Sequence, residues 1–247
     1  MIHRHTFGDK LRFIHEDPVS KNGYSSIDIV INFGSIHEPP HLRGATHIIE
    51  HMCFKGNKKI RTPKKLLDAL TQMGVYSNAY TEKEYTLFEF QTPNENLVKT
   101  IEIALNMIFC SIFDETEFKK EYNVVIEENH RNEQNFEMKL NEFSEAILFN
   151  NTNYQFPIDT LYYHNNLHTI DEVYKLYKSN YVPYNTVLSI CSEVSFRSLI
   201  RIYEKFEKFE KSEKSEKSEK SEDSTMIQKR IMNPKSLNIH IKKEKLT

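Results

Sequence analysis

The segment Gly44 to Phe54, GATHIIEHMCF, constrains this chain more than any other stretch of it. Wound at about 100° per residue, a helix there gathers His47, Glu50 and His51 within roughly a third of its circumference, with Ala45, Ile48, Ile49 and Met52 opposite. One side must pack against a core while the other opens onto a polar space. Two histidines four residues apart can aim ring nitrogens at one ion, and Zn²⁺ accepts imidazole nitrogen at about 2.0 to 2.1 Å in a near-tetrahedral shell. Glu50 lies on the same face but is angularly displaced, which suits a base acting on the water that such an ion binds. HxxEH by itself is a short match in a chain with 11 histidines, and a satisfied core histidine is the plainer alternative until more residues are considered.

The flanking sequence predicts the frame for that helix. Leu11 to Glu16 and Ser26 to Phe33 read as strands, the second with Ile27, Ile29, Ile31 and Phe33 on one face. A polar loop through Pro39, Pro40 and Gly44 follows. Thr62 and Pro63 form a helix start, Leu66, Leu67 and Leu70 a buried stripe, and Gly74 a stop. Tyr76 to Tyr80 and Tyr85 to Gln91 predict a hairpin turning through Glu82 to Glu84, and Asn96 to Phe109 a helix. Asp114 with Glu117, and Thr169 with Glu172, have capping-box spacing for two more helices. Thr186 to Cys191 returns to strand and Phe196 to Phe209 to helix. The expected class is α+β, a largely antiparallel sheet covered by helices.

Charge and cysteine usage narrow the function classes. A net charge of -2 from 33 basic and 35 acidic residues leaves no electrostatic footprint for nucleic acid or an anionic membrane, and no apolar run spans a bilayer. Cys53, Cys110 and Cys191 are far apart and odd in number, so they form neither a CxxC metal knuckle nor a disulfide framework. A reducing compartment follows, with cytoplasm and organelle left open. The Lys, Ser and Glu repeats that dominate 208–226 cannot bury enough surface to offset their ordering entropy and read as a linker or disordered loop. The expected organisation is a catalytic domain over 1–207, that linker, and the truncated start of a second domain over 227–247.

Three stretches carry a wider pattern, the first of them enclosing HxxEH: GSIHEPPHLRGATHIIEHMCFKG from Gly34 to Gly56, SNAYTEKEYT from Ser77 to Thr86, and EYNVVIEEN from Glu121 to Asn129. HxxEH is the inverted zincin signature. With these stretches, most of the first 205 residues resemble the N-terminal catalytic domain of the pitrilysin and insulinase family of zinc metallopeptidases, which includes mitochondrial processing peptidases. The resemblance implies one Zn²⁺ per chain held by His47, His51 and a glutamate well beyond them. Glu128 stands 77 residues past His51 and has a neighbour, Glu127, that could replace it by a one-residue slip. The family pattern has another glutamate seven residues before the ligand, a place Glu121 fills, and two helical turns put both carboxylates on one face. That favours Glu128.

By the same resemblance Glu121 orients a ligand histidine, although a plain surface carboxylate fits the sequence equally well. Asn78, Ala79 and Tyr80 offer an edge strand to an extended peptide. The implied activity is hydrolysis of peptide bonds in unfolded peptides or targeting presequences, with Glu50 as general base. The alternative is a noncatalytic peptide-binding or scaffold subunit of a paired complex. A distal half of the family fold supplies an arginine and a tyrosine to the reacting carbonyl, and nothing here matches it. A C-terminal half or a homologous partner subunit is therefore implied, and the isolated domain is expected to be slow.

Overall fold

A computed structural model describes residues 1–7, 11–158, 168–201 and 204. All but the last belong to one compact unit, Met1–Tyr203. The expected linker and second domain, 208–226 and 227–247, lie outside the described residues.

The sheet is built on alternation. Strand β3 (Tyr24–Ile31) buries Ile27, Ile29 and Ile31 and leaves Asp28 and Val30 half-exposed on its other face. Its antiparallel neighbours are β5 (Thr86–Pro93) and β6 (Thr186–Cys191), in a register that lines Ile190, Ile27 and Phe90 up in one row and Leu188, Ile29 and Phe88 in the next. Each of these side chains is almost wholly removed from water, which contributes about 1.5 to 3 kcal/mol apiece. Strands β1 (Ile2–Thr6) and β2 (Arg12–Glu16) form an antiparallel hairpin, and β2 runs parallel to β6. With β4 (Tyr76–Thr81) the order across the sheet is β1-β2-β6-β3-β5-β4. The last of the described strands thus sits between β2 and β3.

Helices supply the second layer. Helix α1 (Ala45–Cys53) and α3 (Leu97–Phe109) bury Ile48, Ile49, Met52, Ile101, Leu105 and Ile108. Between them, α2 (Pro63–Gln72) starts on the Thr62 hydroxyl, which accepts from the Lys65 amide, and ends at Gly74 with φ +67°. Helix α4 (Glu115–Glu133) packs across α1. Helix α5 (Phe136–Leu148) follows it directly, and α6 (Ile170–Asn180) closes the layer, where the Tyr177 hydroxyl donates to the Ile108 carbonyl at 2.9 Å.

The α+β class holds, with five antiparallel or parallel pairings of which only β2 with β6 is parallel. Thr169 and Glu172 form the full capping box. Asp114 and Glu117 form only half of one: Asp114 accepts from the Thr116 and Glu117 amides, but the Glu117 carboxylate turns outward to Lys120 at 2.8 Å. Strand β1 and helix α5 are additions to the expected elements. IHRHT carries almost no apolar alternation, and α5 has no buried residue at all. No helix among the described residues is long and apolar enough to cross a membrane.

Candidate functional site

The start of α1 is fixed by a buried acid. Gly44 takes φ +85°, a left-handed conformation that favours glycine. Its amide donates to Glu38 Oε2 at 2.7 Å and the Thr46 amide donates to Oε1 at 2.6 Å, so one carboxylate satisfies two amides at the helix N-terminus. Burial pushes Glu38 up to about 7, against the hydrogen bonds from Thr46 and Gly44 that favour its anion. This anchor sets where the next turn of α1 presents its polar face.

On that face the ring nitrogens converge. His47 Nε2 and His51 Nε2 are 3.2 Å apart, and Glu128 Oε2, reaching over from α4, lies 3.7 Å from the first and 3.6 Å from the second. A tetrahedral shell with metal bonds of about 2.0 to 2.1 Å has edges of roughly 3.3 Å, so the three atoms stand close to the separations that one Zn²⁺ requires. Glu127, the neighbour one residue away, is exposed.

Glu121 sits one row back on α4. Its Oε2 is 3.0 Å from His51 Nδ1 and its Oε1 is 2.7 Å from Lys55 Nζ. A carboxylate there holds the His51 proton on Nδ1 and leaves Nε2 as the lone-pair donor. Burial alone would raise the Glu121 carboxyl, but hydrogen bonds from Lys55 and His51 more than offset it and the net shift is downward. An anion at this place is what orienting the imidazole requires.

Glu50 lies beside the two histidines. Donor atoms of His47, Glu50 and His51 fall within 4.8 Å of one another, and Glu50 is only 7% exposed. Burial raises its carboxyl, opposed by His47, by a hydrogen bond from Thr81 and by His51. A raised carboxyl is a better proton acceptor for chemistry near neutrality. The Thr81 hydroxyl donates to Glu50 Oε2 at 2.6 Å, and Thr81 is the last residue of β4.

His47, Glu50, Glu128 and Thr81 line a cleft of about 460 Å³ shared by α1, α4 and the end of β4. Asn78, Ala79 and Tyr80 lie on β4, which borders the sheet and pairs only with β5 among the described strands. Ala79 and Tyr80 line the cleft, whereas the Asn78 amide turns along the strand and donates to the Tyr80 hydroxyl at 2.6 Å. The β4–β5 turn is tied down on both sides. Ser35 and Ile36 amides donate to the Glu82 and Lys83 carbonyls at 3.1 and 3.0 Å, an approach that a Cβ on Gly34 would block. Lys83 Nζ donates to the Tyr154 and Phe156 carbonyls and pairs with Glu145 at 2.8 Å.

The structure therefore brings His47, His51, Glu128, Glu50 and Glu121 together and sets Ala79 and Tyr80 at the rim. Sequence reasoning missed Thr81, Glu38 and Lys55. Each acts through a contact that only the assembled fold creates, although Lys55 at four residues past His51 has the spacing of a helical neighbour.

Known proteins share this arrangement of sequence. The family model for Insulinase (Peptidase family M16) matches residues 16–159. An uncharacterized zinc protease, YmxG, of Bacillus subtilis (strain 168) is 30% identical over 209 residues, covering 83% of this chain and 49% of its own length. The mitochondrial-processing peptidase subunit beta of Homo sapiens is 31% identical over 127 residues, 51% of this chain and 26% of that protein. The crystal structure of a protease from Helicobacter pylori superposes with a TM-score of 0.76 at 22% identity, over 83% of this chain and 49% of that one, and at that identity it speaks for the fold alone. The chain thus spans at most about half the length of each of these relatives. A family match over more than half of the sequence, laid on a fold shared with a protease, leaves one assignment: this chain belongs to the insulinase family, peptidase family M16.

Proposed function

We propose that this chain is the metal-holding half of a zinc endopeptidase, with His47, His51 and Glu128 as ligands and Glu50 as general base. The observation that carries the reading is the triangle of His47 Nε2, His51 Nε2 and Glu128 Oε2, with sides of 3.2 to 3.7 Å, at a cleft that His47, Glu128 and Glu50 line. Bound Zn²⁺ supplies Lewis-acid polarisation and a water of lowered pKa. Glu121 keeps the His51 proton on Nδ1. Thr81 occupies Glu50 Oε2 and leaves Oε1 to accept the proton from water and return it to the departing amine.

The exposed border of β4 binds an extended peptide by main-chain pairing, which tolerates many sequences and suits unfolded peptides or targeting presequences. Support for a second half, in the same polypeptide or on a homologous subunit, comes from the half-length match to relatives. That half completes the side of the site facing the developing oxyanion.

The test is metal content and peptide cleavage for the full chain assembled with its complementary half. His51→Ala is expected to lose the cleft metal. Glu50→Gln is expected to keep it and to cleave on the order of 10² to 10⁴ times more slowly. Cleavage by Glu50→Gln at the unsubstituted rate would remove Glu50 from the role of base. A metal-loaded assembly that cleaves no peptide would favour the noncatalytic scaffold.

A further inference from the structure

A second group of metal-ligating side chains lies at the opposite border of the sheet, separated from β4 by the full strand order. His3 on β1 and His15 on β2 are direct register partners, and Asp17 follows His15 by two residues, so all three project from one face. One donor atom from each lies within 4.8 Å of the others, and His3 Nε2 is 3.7 Å from Asp17 Oδ2. From these residues we infer a second divalent transition-metal site, distinct from the cleft, with His3, His15 and Asp17 as its ligands.

His15 carries the argument. It is 1% exposed, and its Nε2 is 3.1 Å from the Ser192 carbonyl, a partner that can only accept. The proton therefore sits on Nε2, and Nδ1 is left with a lone pair. That atom is buried and has no hydrogen-bond partner among the described residues. A buried acceptor without a partner costs about 1 to 3 kcal/mol, and a histidine whose second nitrogen donates to a backbone carbonyl is the usual arrangement of a metal ligand. An ion taken up through Nδ1 would give the orphaned nitrogen its partner and use the tautomer that Ser192 fixes.

The surroundings agree with that reading. Phe196 lies over the cluster, its ring 5.1 Å from His3, 6.0 Å from His15 and 5.4 Å from Phe13, and gives the site an apolar cover on one side. On the other side His3 and Asp17 are 34% and 53% exposed, which provides a route for the ion and freedom for the carboxylate to close in. Asp17 meets the Met1 amino group at 3.3 Å, a single charge that a divalent cation outcompetes when two imidazoles assist it. Two nitrogens and one carboxylate suit Zn²⁺ and its neighbours rather than Mg²⁺ or Ca²⁺. The ion's place, bridging β1 to β2 and held through Ser192 just beyond β6, makes it a clasp on the N-terminal hairpin.

The experiment uses Zn²⁺, and Co²⁺ as its spectroscopic substitute, on the full chain. Metal per chain after dialysis is expected to be two equivalents in the unsubstituted protein. It falls to one in His51→Ala, to one in His3→Ala/Asp17→Asn, and to none when these are combined. In the His51→Ala background, added Zn²⁺ is expected to raise the melting temperature, and His3→Ala/Asp17→Asn to abolish that rise. The paired substitutions fall on partly exposed side chains, and circular dichroism of the metal-free variant checks that it folds. A single equivalent that His51→Ala removes and His3→Ala/Asp17→Asn leaves in place overturns this site while the cleft stands. A single equivalent with the reverse pattern overturns the cleft and upholds this site.

Discussion

The Thr81 hydroxyl donates to Glu50 Oε2 at 2.6 Å, joining the last residue of an edge strand to the acid at the centre of the metal helix. The strand proposed to receive substrate and the carboxylate proposed to move a proton are therefore one mechanical unit. Thr81→Val should remove the donor at nearly constant volume and lower kcat roughly ten- to a hundredfold, the worth of a hydrogen bond to a charged group. Thr81→Ser should restore most of the loss, and zinc content should be the same in all three. Steady-state kinetics beside metal analysis decides it, and unchanged kcat in Thr81→Val would show the contact to be idle.

Glu121 should act on the metal rather than on the peptide. Glu121→Gln keeps the shape but weakens the hold on His51 Nδ1, and zinc affinity is expected to fall about 10- to 100-fold. Competition with a zinc chelator measures this. Equal affinity in the two proteins would leave Glu121 only its pairing with Lys55 at 2.7 Å.

Stability should carry the signature of Glu38. Its folded pKa of about 7 lies above the 4.5 of an unstructured glutamate, so the folded state holds its proton over a range where the unfolded chain has released it. The contribution is fully present below about pH 4.5 and is lost as pH rises towards 7, by on the order of 3 kcal/mol at most. Urea unfolding at several pH values should show this decline, and Glu38→Gln should flatten it. A slope unaltered by the substitution would mean that the acid ionises in both states alike.

The apolar side of α1 should matter as much as its polar side. Ile49 is fully buried, and Ile49→Ala is expected to destabilise the fold by about 2 to 5 kcal/mol. Because the same helix carries His47 and His51, apparent zinc affinity should fall in parallel, as binding draws on folding. Chemical denaturation with and without Zn²⁺ tests both effects.

What the sequence made legible was whatever periodicity or spacing encodes. Ile27, Ile29 and Ile31 announce a strand with one buried face, and the arc of His47, Glu50 and His51 announces a helix with a chemical one. Glu128 was within reach only because family resemblance supplied a distance, since nothing local to α4 tells it from Glu127. The hairpin partner β1 was lost because IHRHT is polar and its strand identity comes from pairing with β2. Helix α5 does carry a helical stripe in Phe136, Leu140, Phe143 and Ile147, but these side chains are exposed and so mark no part of the core. Thr81 on Glu50 and His3 opposite His15 are products of register, a long-range property that no window of sequence contains.

Strand β6 enters the sheet between β2 and β3 although it is the last of the six to be made. During synthesis the β1–β2 hairpin therefore has no seat until Cys191 has left the ribosome, and the helical layer must wait with half of its floor missing. Zinc captured by α1 and α4 in that interval would belong to an unfinished body, and chaperones would meet a nascent chain whose central groove is still open. A polypeptide stopped short of Thr186 is on this account more than a slightly smaller domain: it is two fragments of a sheet with nothing to join them.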